Sequence, residues 1–413
     1  MGQIRCHHLE STTEIHVDQS NSIYPNQGPI LGRTTLPITA KLVYDGGPDI
    51  HIPSEMGTPS NNQLQGTTLE NLSELACRVC YDSLGKGRSS TELHKHIKEV
   101  SHLSVYEHPT ITVEIPNAYQ NYWRTFINRP GTWLELKGPH LRVTYNLRTI
   151  IEWDKYTTFT NTDYQEHAIK VPSNHIRHIL RSYAIKLAPT IIDHLQWDTD
   201  ITSPVKSPYF PNLYDNPHSL VPNEEHGPHS AWISIYISCS RGCSHELVRH
   251  GNETAISQRS TRYVDETESP YITHPLITDY LNNPITDTDL ITRPIHNAEE
   301  TSKISYKNIV STLTTYMTRA SINKLTARKA ARGAARGYLG NALQTELIFS
   351  ASAHQWLHML QLRCSEHADP EIRILFATIL NVLQHTRYNR FFKDLTLSPS
   401  PDGIGSIITQ PQE

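Results

Sequence analysis

The segment of residues 243–265 gathers polar side chains that could bind an anion. It follows an apolar run at residues 232–238 whose alternation is typical of a β-strand. The segment carries carboxylate, guanidinium, imidazole, amide and hydroxyl groups on Glu246, Arg249, His250, Gln258, Arg259, Ser260 and Arg262. Because a guanidinium fork meets two anionic oxygens at once, this donor set suits a phosphate or another anion.

A helix over residues 244–250 would place Glu246, Arg249 and His250 on one face, because they are three and four residues apart. Ser260 and the backbone around it would add hydroxyl and N–H donors. The alternative is a solvated helix and loop whose charges form ordinary surface ion pairs. Residue chemistry alone leaves both interpretations open.

Within this segment, Arg249-His-Gly and Ser257-Gln-Arg-Ser-Thr-Arg-Tyr-Val264 resemble the signature of the flavin-dependent thymidylate synthases. The family pattern is Arg-His-Arg, a spacer, and a Ser followed two residues later by Arg-Tyr. Here Gly251 replaces the third residue, and the spacer to Ser260 is one residue longer. We expect Gly251 to accommodate the added residue by adopting a positive φ.

An earlier segment, Ala76-Cys-Arg-Val-Cys-Tyr81 followed by His102-Leu-Ser-Val-Tyr-Glu-His108, is similar to the family's first helix and its Ser-x-x-Glu-His turn. The resemblance implies that Ser104 contacts the flavin and that Glu107 and His108 shape its pocket. On physical grounds two residues of the cluster of His102, Glu107 and His108 could instead bind a metal as a pair, or the cluster could be a buried network whose polar groups are all hydrogen-bonded. A metal would need a third ligand that the sequence does not place.

A later segment, Leu362-Arg-Cys-Ser-Glu-His-Ala-Asp-Pro-Glu-Ile372, resembles the family's Leu-Arg-x-x-x-His-Ala-x-x-Glu-Ile. Pro370 should start a helix. The resemblance implies that Arg363 lies on the pyrimidine and favours the ionised uracil, which makes it the predicted catalytic residue. The alternative is a buried arginine in a structural ion pair.

Glu346 falls where the family usually has an arginine that contacts the nucleotide. A carboxylate beside a phosphate is unfavourable, so another cation or a different ligand group must compensate. Arg332 and Arg336 are the candidates, because Lys324, Arg328, Arg332 and Arg336 are spaced four apart along one helical stripe. A solvated basic face is the plainer interpretation of that stripe.

Two overlapping sets of contacts follow from the resemblance. The predicted nucleotide contacts are Glu246, Arg249, Gln258, Arg259, Ser260, Thr261, Arg262 and Arg336. The predicted FAD contacts are Ser104, Glu107, His108, Arg249, His250, Gly251, Gln258, Ser352, His354, His358 and His367. No metal ligand is predicted. The pairs Cys77/Cys80 and Cys239/Cys243 could in principle form a zinc site, but we expect them to be buried, reduced thiols, since neither lies in a knuckle-like turn.

Composition limits the class of protein. The net charge of −4 over 413 residues argues against a general nucleic-acid or anionic-membrane binder. No apolar run approaches the ~20 residues of a membrane span, and no hydrophobic signal segment is visible at the N-terminus. We therefore expect a cytoplasmic protein.

The hydrophobic pattern along the chain predicts strands at residues 35–44, 110–115 and 141–145. It predicts helices at residues 69–81, 90–100, 147–153, 174–195 and 302–319. Gly85 is the expected C-cap of the helix at 69–81. A polar connection is expected at residues 267–300. We predict an N-terminal arm (1–30), a catalytic domain (31–116 and 229–395), an inserted subdomain (117–228) and a C-terminal tail (396–413).

The resemblance implies an α/β (α+β) fold with a central mixed or antiparallel sheet packed with helices, assembled as a homotetramer. It implies a methyltransferase that converts dUMP to dTMP by reductive C5 methylation, with FAD as cofactor and NADPH and methylenetetrahydrofolate as co-substrates. One alternative is the same chemistry on another pyrimidine nucleotide such as UMP. The other is a flavin- or nucleotide-binding protein without turnover.

Overall fold

The structure, a computed structural model, describes residues 38–116, 131–138, 140–152, 179–192 and 219–409. The helices and strands of those ranges, in chain order, are β1 Thr39–Tyr44, α1 Thr68–Tyr81, α2 Ser90–Glu99, β2 Thr110–Pro116, β3 Thr132–Lys137, β4 His140–Asn146, α3 Leu147–Ile151, α4 Pro189–Ile192, β5 Ser219–Leu220, β6 Trp232–Ser240, α5 Arg241–Leu247, β7 Thr254–Gln258, α6 Pro275–Asn282, α7 Asp289–Arg319, α8 Lys324–Ala335, β8 Gln344–Ser352, α9 Ala353–Arg363, α10 Pro370–Leu383, β9 Thr396–Pro399 and β10 Ser406–Thr409. Residues 179–187 are also helical. The predicted N-terminal arm lies outside the described residues.

The central sheet has the strand order β1-β6-β8-β7, and every neighbouring pair is antiparallel. Strand β6 pairs with β8 over its full length, from Trp232 opposite Ser352 to Ser240 opposite Gln344. All nine residues of β6 are buried because the sheet carries a hydrophobic cluster on each face. The predicted α/β class, with an antiparallel sheet packed by helices, is therefore confirmed.

A second antiparallel sheet has the order β3-β4-β2-β5. Strand β2 pairs with β4 from Thr110 opposite Asn146 to Pro116 opposite His140. Residues on both sides of position 117 therefore share one sheet. The division into a catalytic domain and an inserted subdomain stays a prediction.

Helix α1 begins with a capping box in which Thr67 accepts from the Glu70 amide while the Glu70 carboxylate accepts from the Thr67 amide. The predicted helix is confirmed, but its predicted C-cap is wrong. Asp82 caps the helix in the left-handed conformation, with φ of 47°. Asp82 can take this role because a short polar side chain tolerates the left-handed region.

The expected connection at residues 267–300 contains helix α6 and the first part of α7, so this prediction is wrong. Pro275 is the first residue of α6, a position that tolerates proline because its N–H would have no helical partner. Helix α10 begins at Pro370 in the same way, as predicted. The helix α7 is long but polar, and none of the described helices is long and apolar enough to span a bilayer.

The cysteines of the two predicted pairs are buried and free. Burial raises the pKa of Cys80 to about 11, and the pKa of Cys243 lies well above its usual value because Cys239 shares a hydrogen bond with it and both are buried. The expected buried thiols are confirmed. The residues predicted as a C-terminal tail include the antiparallel hairpin of β9 and β10.

Candidate active site

A cavity of about 700 Å³ opens where α1, the segment after α2, and β7 meet. We name it the signature cavity. Its lining includes hydroxyl, amide, imidazole, phenol and ammonium groups from Tyr81, His96, His102, Ser104, Gln258, Ser260, Tyr263 and Lys329. Two motifs that lie about 150 positions apart in the sequence therefore share one cavity, since Ser104 comes from the first and Gln258 and Ser260 from the second.

An aromatic wall forms one side of this cavity. The Tyr81 ring contacts the edge of Tyr263, with centroids 4.7 Å apart, and its hydroxyl lies 3.2 Å from His102 Nδ1. The Lys329 ammonium of α8 lies 4.5 Å from the centroid of the Tyr263 ring. Ring faces beside a cation suit a planar ring system that carries a phosphate.

Gln258, at the end of β7, is held in place by two hydroxyl groups. Its Nε2 donates to Ser244 Oγ at 2.9 Å and to Thr345 Oγ1 at 3.1 Å. Ser260 follows in the next turn, and its backbone N–H donates to the Cys80 carbonyl. The signature strand is thereby fixed to both α1 and β8.

Arg363, at the end of α9, joins the third motif to the signature helix α5. Its Nη1 donates to Glu246 Oε2 at 2.6 Å, and its Nε donates to His250 Nε2 at 3.0 Å. Burial, followed by the charges of Arg363, His358 and Arg249, lowers the pKa of His250 to about 4. The imidazole is therefore neutral at pH 7 and accepts a hydrogen bond from the arginine.

Comparison with known proteins identifies the family of the part of the chain that carries the signature and Arg363. Residues 229–386 match the sequence model of the family described as thymidylate synthase complementing protein. The flavin-dependent thymidylate synthases of Mycolicibacterium gilvum and Mycobacterium tuberculosis are each 33% identical over 182 residues, which is 44% of this chain and 68% of each relative. That of Mycobacteroides abscessus is 32% identical over 180 residues, or 43% of this chain and 68% of the relative.

The chain belongs to the flavin-dependent thymidylate synthase family. It is a member of a family of enzymes, as the resemblance of its three motifs indicates. The structure places the predicted site residues of this family member in three groups and several separate positions.

The first group, at the signature cavity, holds Ser104, Gln258 and Ser260. Thr261 is buried behind the signature turn. Arg262 is exposed, and within the described residues its guanidinium forms no ion pair or side-chain hydrogen bond, so it is free to bind an anion.

Arg259 belongs to a second group, in which charges are already paired. Its Nη1 lies 3.3 Å from Glu346 Oε2, and its Nε lies 3.4 Å from Glu266 Oε1. Burial lowers the pKa of Arg259, but the surrounding carboxylates outweigh that effect and raise it. The other Glu346 oxygen accepts from the Tyr236 hydroxyl at 2.7 Å.

Arg259 is therefore the cation that pairs with Glu346 in the described structure, and neither Arg332 nor Arg336 contacts it; the nucleotide contact of Arg336 stays a prediction. Arg332 instead donates to the Tyr263 carbonyl at 2.6 Å and to Asp265 at 2.9 Å, which fixes the signature turn against α8. Arg336 is exposed and falls in the 3₁₀ turn after α8, so the predicted helical stripe ends at Arg332.

A second cavity, of about 440 Å³, holds the third group. Glu107 and Gly251 line it together with Arg148, whose guanidinium bridges Glu107 at 2.5 Å and Glu152 at 2.6 Å. Burial raises the pKa of Glu107 even though Arg148 acts against the shift. Predicted flavin contacts are thus divided between two cavities.

The backbone at Gly251 corrects another expectation. Gly251 does not adopt a positive φ, whereas Glu253, two residues later, does so with φ of 48°. The left-handed residue of the loop between His250 and β7 is therefore Glu253 and not Gly251. Its carboxylate is anchored by His229 Nδ1, 2.8 Å from Oε1, and by the Ser352 hydroxyl.

His108 is fully buried, and both of its ring nitrogens are engaged. Nδ1 lies 2.8 Å from Ser350 Oγ and Nε2 lies 2.9 Å from Ser257 Oγ. Burial lowers its pKa to about 3. The prediction that its side chain shapes a flavin pocket is corrected to a bridge between β7 and β8, one of the interior networks left open by the sequence.

Three predicted contacts lie on the surface of the described structure. Arg249 and His358 are exposed near His250, and His367 is exposed beside Glu366. Ser352 is buried and caps α9 by accepting from the Gln355 amide.

His354 is exposed as well, and its ring packs against His229 with ring centroids 4.2 Å apart. The His229–Glu253–His354 cluster was not predicted, because its members are separated by 24 and 101 positions.

The aromatic wall and Lys329 were also missed by sequence reasoning. Tyr263 stands inside the signature, and Lys329 is one position beyond Arg328 on the basic stripe. The contact joins two elements that are 66 positions apart, so no local sequence pattern indicates it.

Proposed function

We propose that this enzyme methylates the uracil C5 of dUMP reductively to give dTMP, with FAD as cofactor and with methylenetetrahydrofolate and NADPH as co-substrates. The observation that carries the proposal is the signature cavity, where Ser104 meets Gln258 and Ser260 from a distant motif. The flavin dependence and thymidylate synthesis in the names of its relatives support the same chemistry.

The residues present fit a flavin and a nucleotide. A volume of about 700 Å³ lies within the ~300–1,000 Å³ of small-molecule pockets. Tyr81, His102 and Tyr263 offer ring faces to planar groups, and Ser104 and Gln258 offer polar contacts to ring heteroatoms. A bound flavin would supply the redox chemistry, taking a hydride from NADPH and giving it to the transferred carbon.

We infer that the nucleotide phosphate binds among the cations at the mouth of this cavity. Arg262 is free within the described structure, and Lys329 lines the cavity. Ser260 adds a hydroxyl donor in the same turn. We assign Ser260 no nucleophilic role, because its hydroxyl faces the Arg262 backbone amide at 3.4 Å and no general base bonds to it within the described residues.

Arg363 would stabilise negative charge that develops on the pyrimidine. Its guanidinium is oriented by Glu246 and by the neutral His250, which leaves one face for a ligand because the side chain is 18% exposed. Preorganised donors of this kind act without reorganisation when the charge appears. Glu246 would therefore act through Arg363 as a positioning residue.

We further propose that the enzyme works in the cytoplasm as a homotetramer, with residues 117–228 as an inserted subdomain. Exposed apolar side chains on α7 and α8, including Leu290, Tyr316 and Leu325, support contact between copies. Light scattering at micromolar concentration tests the assembly, and a monomer would overturn it.

The test of the proposed function follows the C5 proton. The purified full chain is incubated with FAD, NADPH, methylenetetrahydrofolate and dUMP tritiated at C5. We expect tritium in water together with an equal amount of dTMP, and less product from UMP. Consumption of NADPH without any methylated nucleotide would overturn the proposal, and preference for UMP would reassign the acceptor.

A further inference from the structure

A cluster of three potential metal ligands lies beside the second cavity. The side chains of His229, Glu253 and His354 each offer a ligand atom, and these atoms all lie within 4.8 Å of one another. His229 Nδ1 is 2.8 Å from Glu253 Oε1, and His354 Nδ1 is 3.7 Å from Glu253 Oε2. The residues come from the turn before β6, the loop before β7 and the start of α9.

We propose that His229, Glu253 and His354 form a binding site for one divalent transition-metal ion of the Zn²⁺ class. Two imidazoles and one carboxylate are the ligand set of many catalytic zinc sites and of the facial triad that binds iron. Bond lengths of about 2.0–2.2 Å place tetrahedral ligand atoms about 3.4 Å apart. The two nitrogen–oxygen distances, each to a different Glu253 oxygen, lie on either side of that value, and side-chain rotations would close the set of three ligand atoms from its present limit of 4.8 Å.

The carboxylate is held ready for this role by its surroundings. Ser352, which is fully buried, donates its hydroxyl to Glu253 and so orients the carboxylate as an outer partner of a metal ligand does. Glu253 also adopts a left-handed backbone with φ of 48°, which directs the residue back toward the two histidines. Such strain in a non-glycine residue is found where the surroundings fix a functional geometry.

One of the three ligands borders the second cavity. Glu253 lines this cavity of about 440 Å³, which has room for water or an anionic oxygen as a fourth ligand, whereas His229 and His354 are not part of its lining. Three protein ligands with one open position distinguish reactive metal sites from closed structural ones. The ion would also tie the loop after Arg249 and His250 to the turn before β6 and to the first turn of α9.

An ion pair between His229 and Glu253 is the competing account of the cluster. It explains the 2.8 Å contact but not the second imidazole, whose ring packs 4.2 Å from the first with its Nδ1 facing the same carboxylate.

Zinc binding to the metal-free full chain tests the proposal. The protein is treated with EDTA and dialysed, and Zn²⁺ is then titrated in competition with a chromogenic chelator. The chain has 24 histidines, so some zinc can bind outside the cluster. The decisive quantity is therefore the amount of bound zinc that is lost when a cluster residue is substituted. We expect His229→Ala, His354→Ala and Glu253→Gln each to weaken one site by at least about 100-fold, and Ser352→Ala by about 10-fold.

The control is His51→Ala, which removes an exposed histidine outside the cluster and should leave zinc binding unchanged. A second measurement is the melting temperature, which Zn²⁺ should raise in the wild type but not in the His229→Ala/His354→Ala double variant. The proposal is overturned if the wild type binds no zinc at micromolar concentration. Equal stoichiometry and affinity in the wild type and the double variant would also overturn it.

Discussion

Arg363 and Glu246 form a charged hydrogen bond of 2.6 Å that connects the end of α9 to α5 across 117 positions of sequence. Both side chains are partly exposed, so a ligand can reach the pair. The carboxylate holds the guanidinium in one orientation, and His250 fixes its second edge. The arginine is therefore preorganised, which is the property that makes a donor effective on developing charge.

Arg262→Ala should weaken nucleotide binding and leave the saturated rate nearly unchanged. A phosphate contact stabilises the ground state and the transition state about equally. Loss of a hydrogen bond to a charged group corresponds to about a tenfold or larger rise in the dissociation constant of dUMP. Isothermal titration checks this value, with Arg319→Ala, an exposed arginine at the end of α7, as the control. Equal affinities for both variants would remove Arg262 from the site.

Cys80→Ala should retain turnover within a few-fold, although Cys80 lines the signature cavity. Burial raises the pKa of its thiol to about 11, so the thiol is protonated and unreactive at pH 7. Steady-state kinetics on the folded variant, verified by circular dichroism, make the comparison. A folded Cys80→Ala protein without turnover would show that the thiol takes part in the reaction.

His108 should make stability depend on pH in the acid range. Its pKa is about 3 in the folded protein, because of burial, and about 6.5 in the unfolded chain. The unfolded state therefore binds more protons between those values, and stability falls as the pH decreases through that window. Between pH 7 and pH 5 the titration of His108 should lower the free energy of unfolding by about 2 kcal/mol.

Urea unfolding of the wild type and of His108→Asn at both pH values measures that effect. The variant has lower stability at pH 7, but it should lose less on acidification because asparagine does not titrate. Parallel losses in the two proteins would show that His108 is not the titrating group.

Arg78→Met should destabilise the fold strongly. Arg78 and Glu74 form an i,i+4 ion pair of 2.6 Å in α1, and both side chains are about 1% exposed. Removal of one partner leaves an uncompensated buried charge, at a cost of about 3–5 kcal/mol. Arg293→Met breaks an i,i+4 pair of similar length with Asp289 on the exposed surface of α7 and should change stability little. Similar unfolding midpoints for the two variants would contradict this prediction.

Local features of the fold could be predicted from the sequence because they depend on neighbouring residues. Strand β6 follows from its alternation, and α10 follows from Pro370 at its first position. The end of α1 could not be predicted in the same way, because Asp82 and Gly85 both tolerate a positive φ. Only the packing of the chain after the helix decides between them.

The charge pairing of the site could not be predicted, because it depends on distances across the fold. Glu346 was recognised as an acid in need of a cation, yet Arg259 lies opposite it only because β7 pairs with β8. The residues of the His229–Glu253–His354 cluster are likewise distant in sequence and are brought together only by the fold. Motifs identify which residues take part, and strand pairing decides which partner each one finds.

The rate of flavin oxidation in a single turnover tests most directly whether Arg363 completes an active site with the signature. The protein is loaded with reduced FAD and saturating dUMP and then mixed with methylenetetrahydrofolate, with Arg319→Ala as the control. We expect Arg363→Ala to slow the chemical step by about 10² to 10³ while dUMP affinity changes much less. Arg363→Lys should restore little, because an ammonium cannot reproduce the planar fork that Glu246 and His250 orient. A near-normal rate for Arg363→Ala would contradict this role and leave the arginine as a structural partner of Glu246.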